Sequence, residues 1–213
     1  MLSILDYGMG NVRSIENAFN LLGEEVCITD NEKTLSDSEA IIVPGVGAFS
    51  DGMENLKKKN LLDILDEEII KKKKPYLGIC LGLEFLANKS FEGGEHKGFG
   101  WINGEVIQIN SNHHSLRVPH IGWNDLTIIR NGGLYNEIHK PTFYFLHSFF
   151  FQVDDSEKNS ITSLCNYGGN IIAASLQKEN IYAVQFHPEK SQSTGIKLLK
   201  NFLGDIRQKN VET

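Results

Sequence analysis

The 213-residue sequence predicts an α/β fold with an open, mostly parallel sheet flanked by helices and an antiparallel-rich second half. In the first half, short continuous apolar runs alternate with segments of helical periodicity, which is typical of parallel strands covered on both faces. In the second half, strand-like runs follow one another with turn residues between them. The sequence has no repeat, low-complexity linker or break in composition, so we expect a single domain over residues 1–213.

The first half predicts strands and helices in the order strand, helix, strand, strand, helix, strand, helix. The four strands are expected at residues 2–6, 25–29, 39–45 and 75–80. A helix over 12–22 has apolar residues at helical spacing and ends at Gly23. A helix over 49–74 is expected to break near Asn60, and one or two helical turns follow at 81–88.

The second half predicts mainly strands. The strand-like segments are "INGEVIQI", "VPHIGWNDLTII", "TFYFLHSFFFQV", "SITSLCNYG", "NIIAASLQ" and "NIYAVQFHPE". An amphipathic segment over 194–206 predicts a helix that closes the chain.

Composition argues against several classes of protein. The net charge of −6 argues against broad nucleic-acid binding, and no apolar run approaches the roughly 18 residues needed to cross a membrane. Cys27, Cys80 and Cys165 are widely spaced and odd in number, so neither a disulfide framework nor a zinc site is indicated. We expect reduced cysteines, no metal or cofactor, and a cytoplasmic location, since the N-terminus does not resemble a signal peptide.

Cys80 is the candidate nucleophile. In "PYLGICLGLEFL" a predicted strand runs into Cys80, a helix leaves it, and Gly78 and Gly82 flank it by two residues on each side. This is the cysteine counterpart of the G-x-S-x-G nucleophile elbow, whose glycines allow close backbone approach at a sharp turn. The turn places the sulfur at a helix N-terminus, which we expect to stabilise the thiolate. The alternative is a buried cysteine in a tight turn.

His187 is the candidate base. In "AVQFHPEKS" a predicted strand ends at His187-Pro188-Glu189. A cysteine nucleophile needs an imidazole to accept its proton and a third group to fix the imidazole tautomer. Glu189 is suited to that third role because Pro188 stiffens the connection. The alternative is a surface His-Pro turn.

The turn after the third strand is the candidate oxyanion site. "IIVPGVGAF" is a strand that ends in Pro44-Gly45-Val46-Gly47, and the carboxyl ends of such strands are where ligands bind in open α/β sheets. Backbone N–H groups there can stabilise a tetrahedral intermediate. We expect the N–H of Leu81 to act with that of Val46 or Gly47. The alternative is a plain tight turn.

Six segments carry a resemblance to a known family. They are "DYGMGN" (6–11), "PGVGAF" (44–49), "GICLGL" (78–83), "VPHIGWN" (118–124), "FYFLHS" (143–148) and "QFHPEKS" (185–191). Together, and in this order, they resemble the class I (triad) glutamine amidotransferases. The last three resemble the glutaminase subunits of imidazole glycerol phosphate synthase in particular. The resemblance covers essentially the whole chain and implies the fold of that family.

The resemblance implies a reaction. Cys80 attacks the side-chain amide of glutamine, His187 takes the thiol proton and returns it to the leaving ammonia, and Glu189 orients His187. Water then hydrolyses the thioester to glutamate. The ammonia passes to a (β/α)₈-barrel cyclase subunit, with which the chain forms a heterodimer, and glutaminase activity is weak until that partner binds its own ligand.

The resemblance also implies further contacts. We expect the substrate to contact Glu84, Gly45, His147 and Ser148. The residues that match the family's partner-facing side are Asn11, Trp123 and Lys190. Trp123 lies in a turn-like "GWN" and is an aromatic type favoured at interfaces, although core packing would also explain it.

Glu84 departs from the family pattern, which reads G-x-C-x-G-x-Q. In relatives this Gln helps hold the substrate glutamine. Because Glu84 follows Cys80 by four residues on a helix, both are expected to face the same side. A carboxylate would repel the substrate's α-carboxylate and raise the pKa of Cys80, although it could bind the α-ammonium group or simply favour the first helical turn. The hypothesis is that Glu84 weakens glutamine binding or thiolate formation without abolishing catalysis.

Three other functions remain open. The first is a related ammonia donor that serves sugar-modifying amidotransferases in surface-glycan (nonulosonate) biosynthesis. The second is a cysteine peptidase or γ-glutamyl hydrolase on a related fold. The third is a catalytically impaired binding subunit, against which the intact Cys80, His187 and Glu189 argue.

Overall fold

The computed structural model describes residues 1–111 and 116–212. Its strands are β1 (Leu2–Leu5), β2 (Val26–Thr29), β3 (Ile41–Gly45), β4 (Tyr76–Cys80), β5 (Lys89–Ser90), β6 (His96–Lys97), β7 (Gly104–Gln108), β8 (His120–Asp125), β9 (Thr127–Ile128), β10 (Thr142–His147), β11 (Phe149–Val153), β12 (Ile161–Tyr167), β13 (Asn170–Lys178) and β14 (Ile181–Val184). Its α-helices are α1 (Val12–Asn20), α2 (Glu32–Asp37), α3 (Phe49–Lys58), α4 (Leu61–Leu65), α5 (Leu81–Glu84) and α6 (Gln192–Glu212).

The main sheet has eight strands in the order β2-β1-β3-β4-β14-β13-β12-β9. The strands from β2 to β14 pair in parallel, whereas β13, β12 and β9 add antiparallel pairs at one side. The predicted α/β class, with its mostly parallel sheet and antiparallel-rich second half, is confirmed. Two smaller units complete the second half: a four-stranded sheet of order β11-β7-β5-β6 and a two-stranded ribbon of β8 and β10.

Alternating strand residues build two apolar cores. Ile42 and Ile79 belong to a core that includes α1 and α6, whereas Val43 and Tyr76 belong to a core that includes α3 and α4. Successive strand side chains point to opposite faces, so the two cores lie on the two faces of the main sheet. The layered packing explains why these strands read as continuous apolar runs.

The break near Asn60 agrees with the sequence-based expectations, whereas several other elements differ from them. The predicted break near Asn60 is confirmed: Asn60 has φ 55° between α3 and α4. Helix α2 was not predicted, because its six residues contain only one buried apolar side chain, Leu35. The closing helix begins earlier and ends later than 194–206. The turn-like interpretation of "GWN" is wrong: Trp123 lies inside β8, opposite Tyr144 of β10.

The sheet order brings the predicted site segments together. Strands β3, β4 and β14 are neighbours and run parallel, so their carboxyl ends meet at one edge. Gly45 ends β3, Cys80 ends β4, and His187 follows β14 by three residues. Within residues 1–111 and 116–212, no helix is long and apolar enough to cross a membrane.

Candidate active site

Cys80 occupies a strained turn between β4 and α5. Its φ and ψ are 53° and −104°, outside the regions that L-residues ordinarily adopt. The two flanking glycines make this turn possible, since a Cβ at Gly78 would lie 2.5 Å from the Gly82 carbonyl oxygen and one at Gly82 would overlap the Val43 carbonyl oxygen. The strand–turn–helix geometry predicted for a nucleophile elbow is therefore present.

Gly82→Ala is expected to destabilise the protein by about 3 kcal/mol, because the obstructing Val43 oxygen belongs to the sheet backbone and cannot swing away. Urea unfolding measures this change. Gly204→Ala in α6 is the matched control: apart from the adjacent turns of its own helix, no atom of the described residues lies within 4 Å of its added Cβ, and the substitution should stabilise the protein by roughly 0.5–1 kcal/mol. Equal effects of the two substitutions would contradict the close approach at Gly82.

The surroundings of the Cys80 sulfur favour the neutral thiol. Burial raises the pKa of Cys80 well above its usual value, and the negative charges of Glu84 and Glu189 raise it further. The Leu81 N–H and the Gln185 amide lower this pKa but do not compensate. The N–H at the start of α5 thus acts on the Cys80 pKa in the expected direction, but desolvation and the two negative charges outweigh it in the free chain.

His187 and Glu189 form a buried pair. The His187 Nδ1 lies 2.9 Å from Glu189 Oε1, and both side chains are 2% exposed. A carboxylate accepts the Nδ1–H, which leaves Nε2 as the proton acceptor. That Nε2 is buried and has no hydrogen-bond partner among residues 1–111 and 116–212. The turn is held in place because the His187 N–H donates to the Tyr144 carbonyl at 2.8 Å.

A cleft of about 370 Å³ opens beside Cys80. Most of the predicted site residues lie on its wall, and the residues that line it are Val46, Gly47, Ala48, Cys80, Leu81, Glu84, Glu92, Pro119, Leu146, His147, Ser148 and Phe149. Gly47 has φ +110°, which suits glycine at this turn. Gly45 does not line the cleft: it pairs with Cys80 in the sheet, and a Cβ there would lie 2.7 Å from Leu81 Cβ.

Two residues near the site were not identified from the sequence: Gln185 beside Cys80 and Glu92 on the cleft wall. Gln185 Nε2 donates to Glu84 Oε1 at 2.9 Å and also lies 3.9 Å from the Cys80 sulfur. Glu92 lines the cleft, and its carboxylate accepts the N–H of Phe49 at 2.7 Å. Gln185 lies two positions before His187 of the His-Pro-Glu tripeptide, and that proximity was the available signal. Glu92 lies in a polar loop and gives no comparable signal.

His147, which lines the cleft, is hydrogen-bonded to His120. His147 Nδ1 lies 2.7 Å from the Phe149 carbonyl, and His147 Nε2 lies 3.1 Å from His120 Nδ1. Burial lowers the pKa of His147 to about 3 and that of His120 to about 4, so both rings are neutral at pH 7. With His147 donating to the carbonyl, His120 must donate to His147. These hydrogen bonds hold His147 in place next to Leu146, whose carbonyl oxygen lies 3.8 Å from the Cys80 sulfur.

The predicted partner-facing residues lie near the His187 turn. Trp123 is 47% exposed and meets the Tyr144 ring edge-on, with centroids 6.1 Å apart. The Lys190 amine lies 5.9 Å from the centre of the same Tyr144 ring. Asn11 is exposed and caps the N-terminus of α1. Helix α1 contacts the turn that contains Lys190. Tyr144 therefore links Trp123 to Lys190 and was missed because it lies inside an apolar run.

Comparison with known proteins identifies the family to which the chain is similar. A family model described as "Glutamine amidotransferase class-I" matches residues 3–206. The imidazole glycerol phosphate synthase subunit HisH 1 of Campylobacter jejuni (strain RM1221) is 41% identical, over 95% of this chain and 99% of its own length. The subunit HisH 2 of Vibrio vulnificus is 44% identical, over 96% of this chain and 94% of its own length.

Solved structures agree on the fold. A structure described as a crystal structure of glutamine amidotransferase superposes with a TM-score of 0.74 at 18% identity, covering 97% of this chain and 98% of that one. The PurLQS structure from Thermotoga maritima gives a TM-score of 0.70 at 19% identity, covering 96% and 98% of the two chains.

Proposed function

The chain belongs to the class I glutamine amidotransferases, and from this premise we propose that it is the glutaminase subunit of an imidazole glycerol phosphate synthase in histidine biosynthesis. It acts as a single glutamine amidotransferase domain that hydrolyses glutamine to glutamate and ammonia. One observation carries the proposal: Cys80 and the His187–Glu189 pair end neighbouring strands, in a chain similar over nearly its full length to HisH subunits.

Catalysis on this proposal begins with the thiol of Cys80. His187 Nε2 accepts the thiol proton as the sulfur attacks the side-chain carbonyl carbon of glutamine, and His187 then returns the proton to the departing ammonia. Water then attacks the thioester carbonyl carbon, His187 accepts a proton from that water, and the proton passes to the departing Cys80 sulfur as the C–S bond breaks and glutamate leaves. Glu189 holds His187 in the required tautomer through the Nδ1 contact at 2.9 Å. In the described part of the chain His187 Nε2 has no partner, so it is available for these transfers.

The oxyanion of each tetrahedral intermediate is expected to meet backbone N–H groups of Leu81 and of Val46 or Gly47. These residues share the cleft wall with Cys80. The Leu81 N–H already acts on the sulfur, since it lowers the pKa of the thiol. Such donors matter most where charge develops in a site shielded from water.

The cleft offers groups that suit the two ends of glutamine. Glu92 supplies a carboxylate for the α-ammonium group, and Ser148 supplies a hydroxyl for the α-carboxylate. Glu84 and His147 complete the polar wall, whereas Gly45 supports Cys80 from within the sheet.

The partner on this proposal is a (β/α)₈-barrel cyclase subunit of the same synthase, bound as a heterodimer. The HisH relatives are named as subunits of imidazole glycerol phosphate synthase, which implies a second subunit for them. Trp123 and Ile121 expose 47% and 57% of their surface on one ribbon, and large exposed apolar side chains favour an interface. Asn11 and Lys190 supply a polar rim beside Tyr144.

Co-purification of the chain with its partner tests the proposal. Glutamine turnover should be weak for the free chain and should rise when the partner holds its phosphorylated ligand. If the chain instead co-purifies with a sugar amidotransferase, and glutamine supports only that enzyme, the histidine assignment fails while the glutaminase assignment stands. Cleavage of peptides without release of glutamate from free glutamine would contradict both.

A further inference from the structure

Glu84 is a buried carboxyl group on the wall of the cleft, where it shares the first turn of α5 with Cys80. It is 5% exposed, and its Oε1 accepts the Gln185 amide at 2.9 Å. Its Oε2 makes no hydrogen bond among the described residues and is not fully enclosed, so it faces the cleft. No ion pair within residues 1–111 and 116–209 includes Glu84.

Within the part of the chain that the structure describes, the groups that face Glu84 provide no compensating positive charge. Glu92 contributes a second carboxylate from the loop after β5, and Tyr7 approaches from the segment after β1. His147 on β10 lines the same cleft as a neutral ring. Burial accordingly raises the pKa of Glu84 to about 8, the Gln185 hydrogen bond lowers it, and the charge of Glu92 raises it.

Glu84 also acts on the reacting sulfur. The Gln185 Nε2 group that donates to Glu84 lies 3.9 Å from the Cys80 sulfur. The charge of an ionised Glu84 raises the pKa of Cys80. A neutral carboxyl would leave the Gln185 contact intact and remove that repulsion. It would also present an O–H donor to the cleft instead of a second negative charge.

We propose that Glu84 works as a neutral carboxylic acid, and that its ionisation lowers the reactivity of Cys80 and switches the site off as pH rises. The carboxyl positions Gln185 and regulates the nucleophile. Where it concerns glutamine turnover the proposal rests on the proposed function, whereas thiol reactivity and stability test it independently. On this proposal Glu84 does not meet the substrate as a carboxylate, in contrast to the expectation from the sequence.

Alkylation of Cys80 by iodoacetamide tests the electrostatic step in the free chain. The rate at Cys80 is followed by peptide mass spectrometry for the wild type and Glu84→Gln. The ratio of the variant rate to the wild-type rate should be constant below about pH 7 and rise severalfold between about pH 7 and pH 9. Glu68→Gln is the control: Glu68 is 1% exposed but pairs with Lys72 and Lys74 away from the cleft, so its ratio should not change with pH.

Unfolding measurements test the protonation state without any use of the active site. The pKa of Glu84 is raised from 4.5 to about 8 by folding, so the folded state holds a proton that the unfolded state loses between these values. Relative to Glu84→Gln, the wild type should lose stability as pH rises through this range. Its unfolding constant should increase by up to about tenfold per pH unit. No difference in pH dependence would overturn the proposal.

Steady-state kinetics of the assembled enzyme complete the test. The ratio of kcat/KM for glutamine, Glu84→Gln over wild type, should rise above about pH 8. A ratio that falls because the wild-type KM improves at high pH would overturn the proposal and identify Glu84 as an ionised ligand of the α-ammonium group. If neither protein turns over glutamine while the alkylation ratio rises as expected, the proposed function fails and the role of Glu84 stands.

Discussion

Cys80→Ala is expected to lower glutamine-dependent synthesis by the assembled enzyme by ~10⁴-fold or more, because no thioester can form without the sulfur. Synthesis from added ammonium salts should survive, since the partner's chemistry does not use Cys80. The substitution removes one atom from a buried site, so the fold should persist. The two rates are measured on the same complex, with glutamine or with ammonium as the nitrogen source.

Cys27→Ala is the matched control for the loss of a thiol. Cys27 is half-buried in β2 at the edge of the main sheet, and its sulfur lies 3.9 Å from the Ile28 carbonyl oxygen. Glutamine-dependent activity should be unchanged in this variant. If Cys80→Ala kept glutamine-dependent synthesis, or if both nitrogen sources failed together, the assignment of Cys80 as nucleophile would be wrong.

His187→Ala is expected to reduce the glutaminase rate by ~10³-fold or more, because it removes the imidazole proposed to take the thiol proton. The described histidine that lines the cleft, His147, has its Nδ1 against the Phe149 carbonyl and a pKa lowered to about 3 by burial. The loss should lie in kcat, since His187 acts in the proton transfers and not in holding the two ends of glutamine. Single-turnover release of glutamate measures the chemical step.

Glu189→Gln should cost less than His187→Ala, because an amide can still contact Nδ1 but no longer enforces one tautomer. His139→Ala, an exposed histidine outside the cleft, should leave the rate unchanged. Equal rates for the His187 and His139 variants would remove His187 from the mechanism.

The elements that the sequence predicted well are those with local signals. The elbow at Cys80 was predictable because its two glycines stand at fixed offsets, and the His187–Glu189 pair was predictable because the partners are two residues apart. The parallel half of the sheet was predictable because its strands are continuous apolar runs. That topology alone places the ends of β3, β4 and β14 at one edge.

The features that the sequence did not predict depend on contacts between distant segments. Gln185 approaches Cys80 across 105 positions of sequence, and Glu92 reaches the cleft from a loop without a distinctive pattern. The pKa values of Cys80 and Glu84 depend on burial, which no local pattern reveals. For this reason the sequence indicates the effect of the helix N-terminus on the Cys80 pKa but not the larger, opposing effect of burial around the sulfur.

Transfer of an isotopic label tests whether Cys80 releases ammonia from glutamine for use by a bound partner. The assembled enzyme is given glutamine labelled with ¹⁵N in its amide group together with an excess of unlabelled ammonium. We expect imidazole glycerol phosphate to carry the label with the wild-type complex and to lose it with Cys80→Ala. Unlabelled product from the wild-type complex would contradict this expectation.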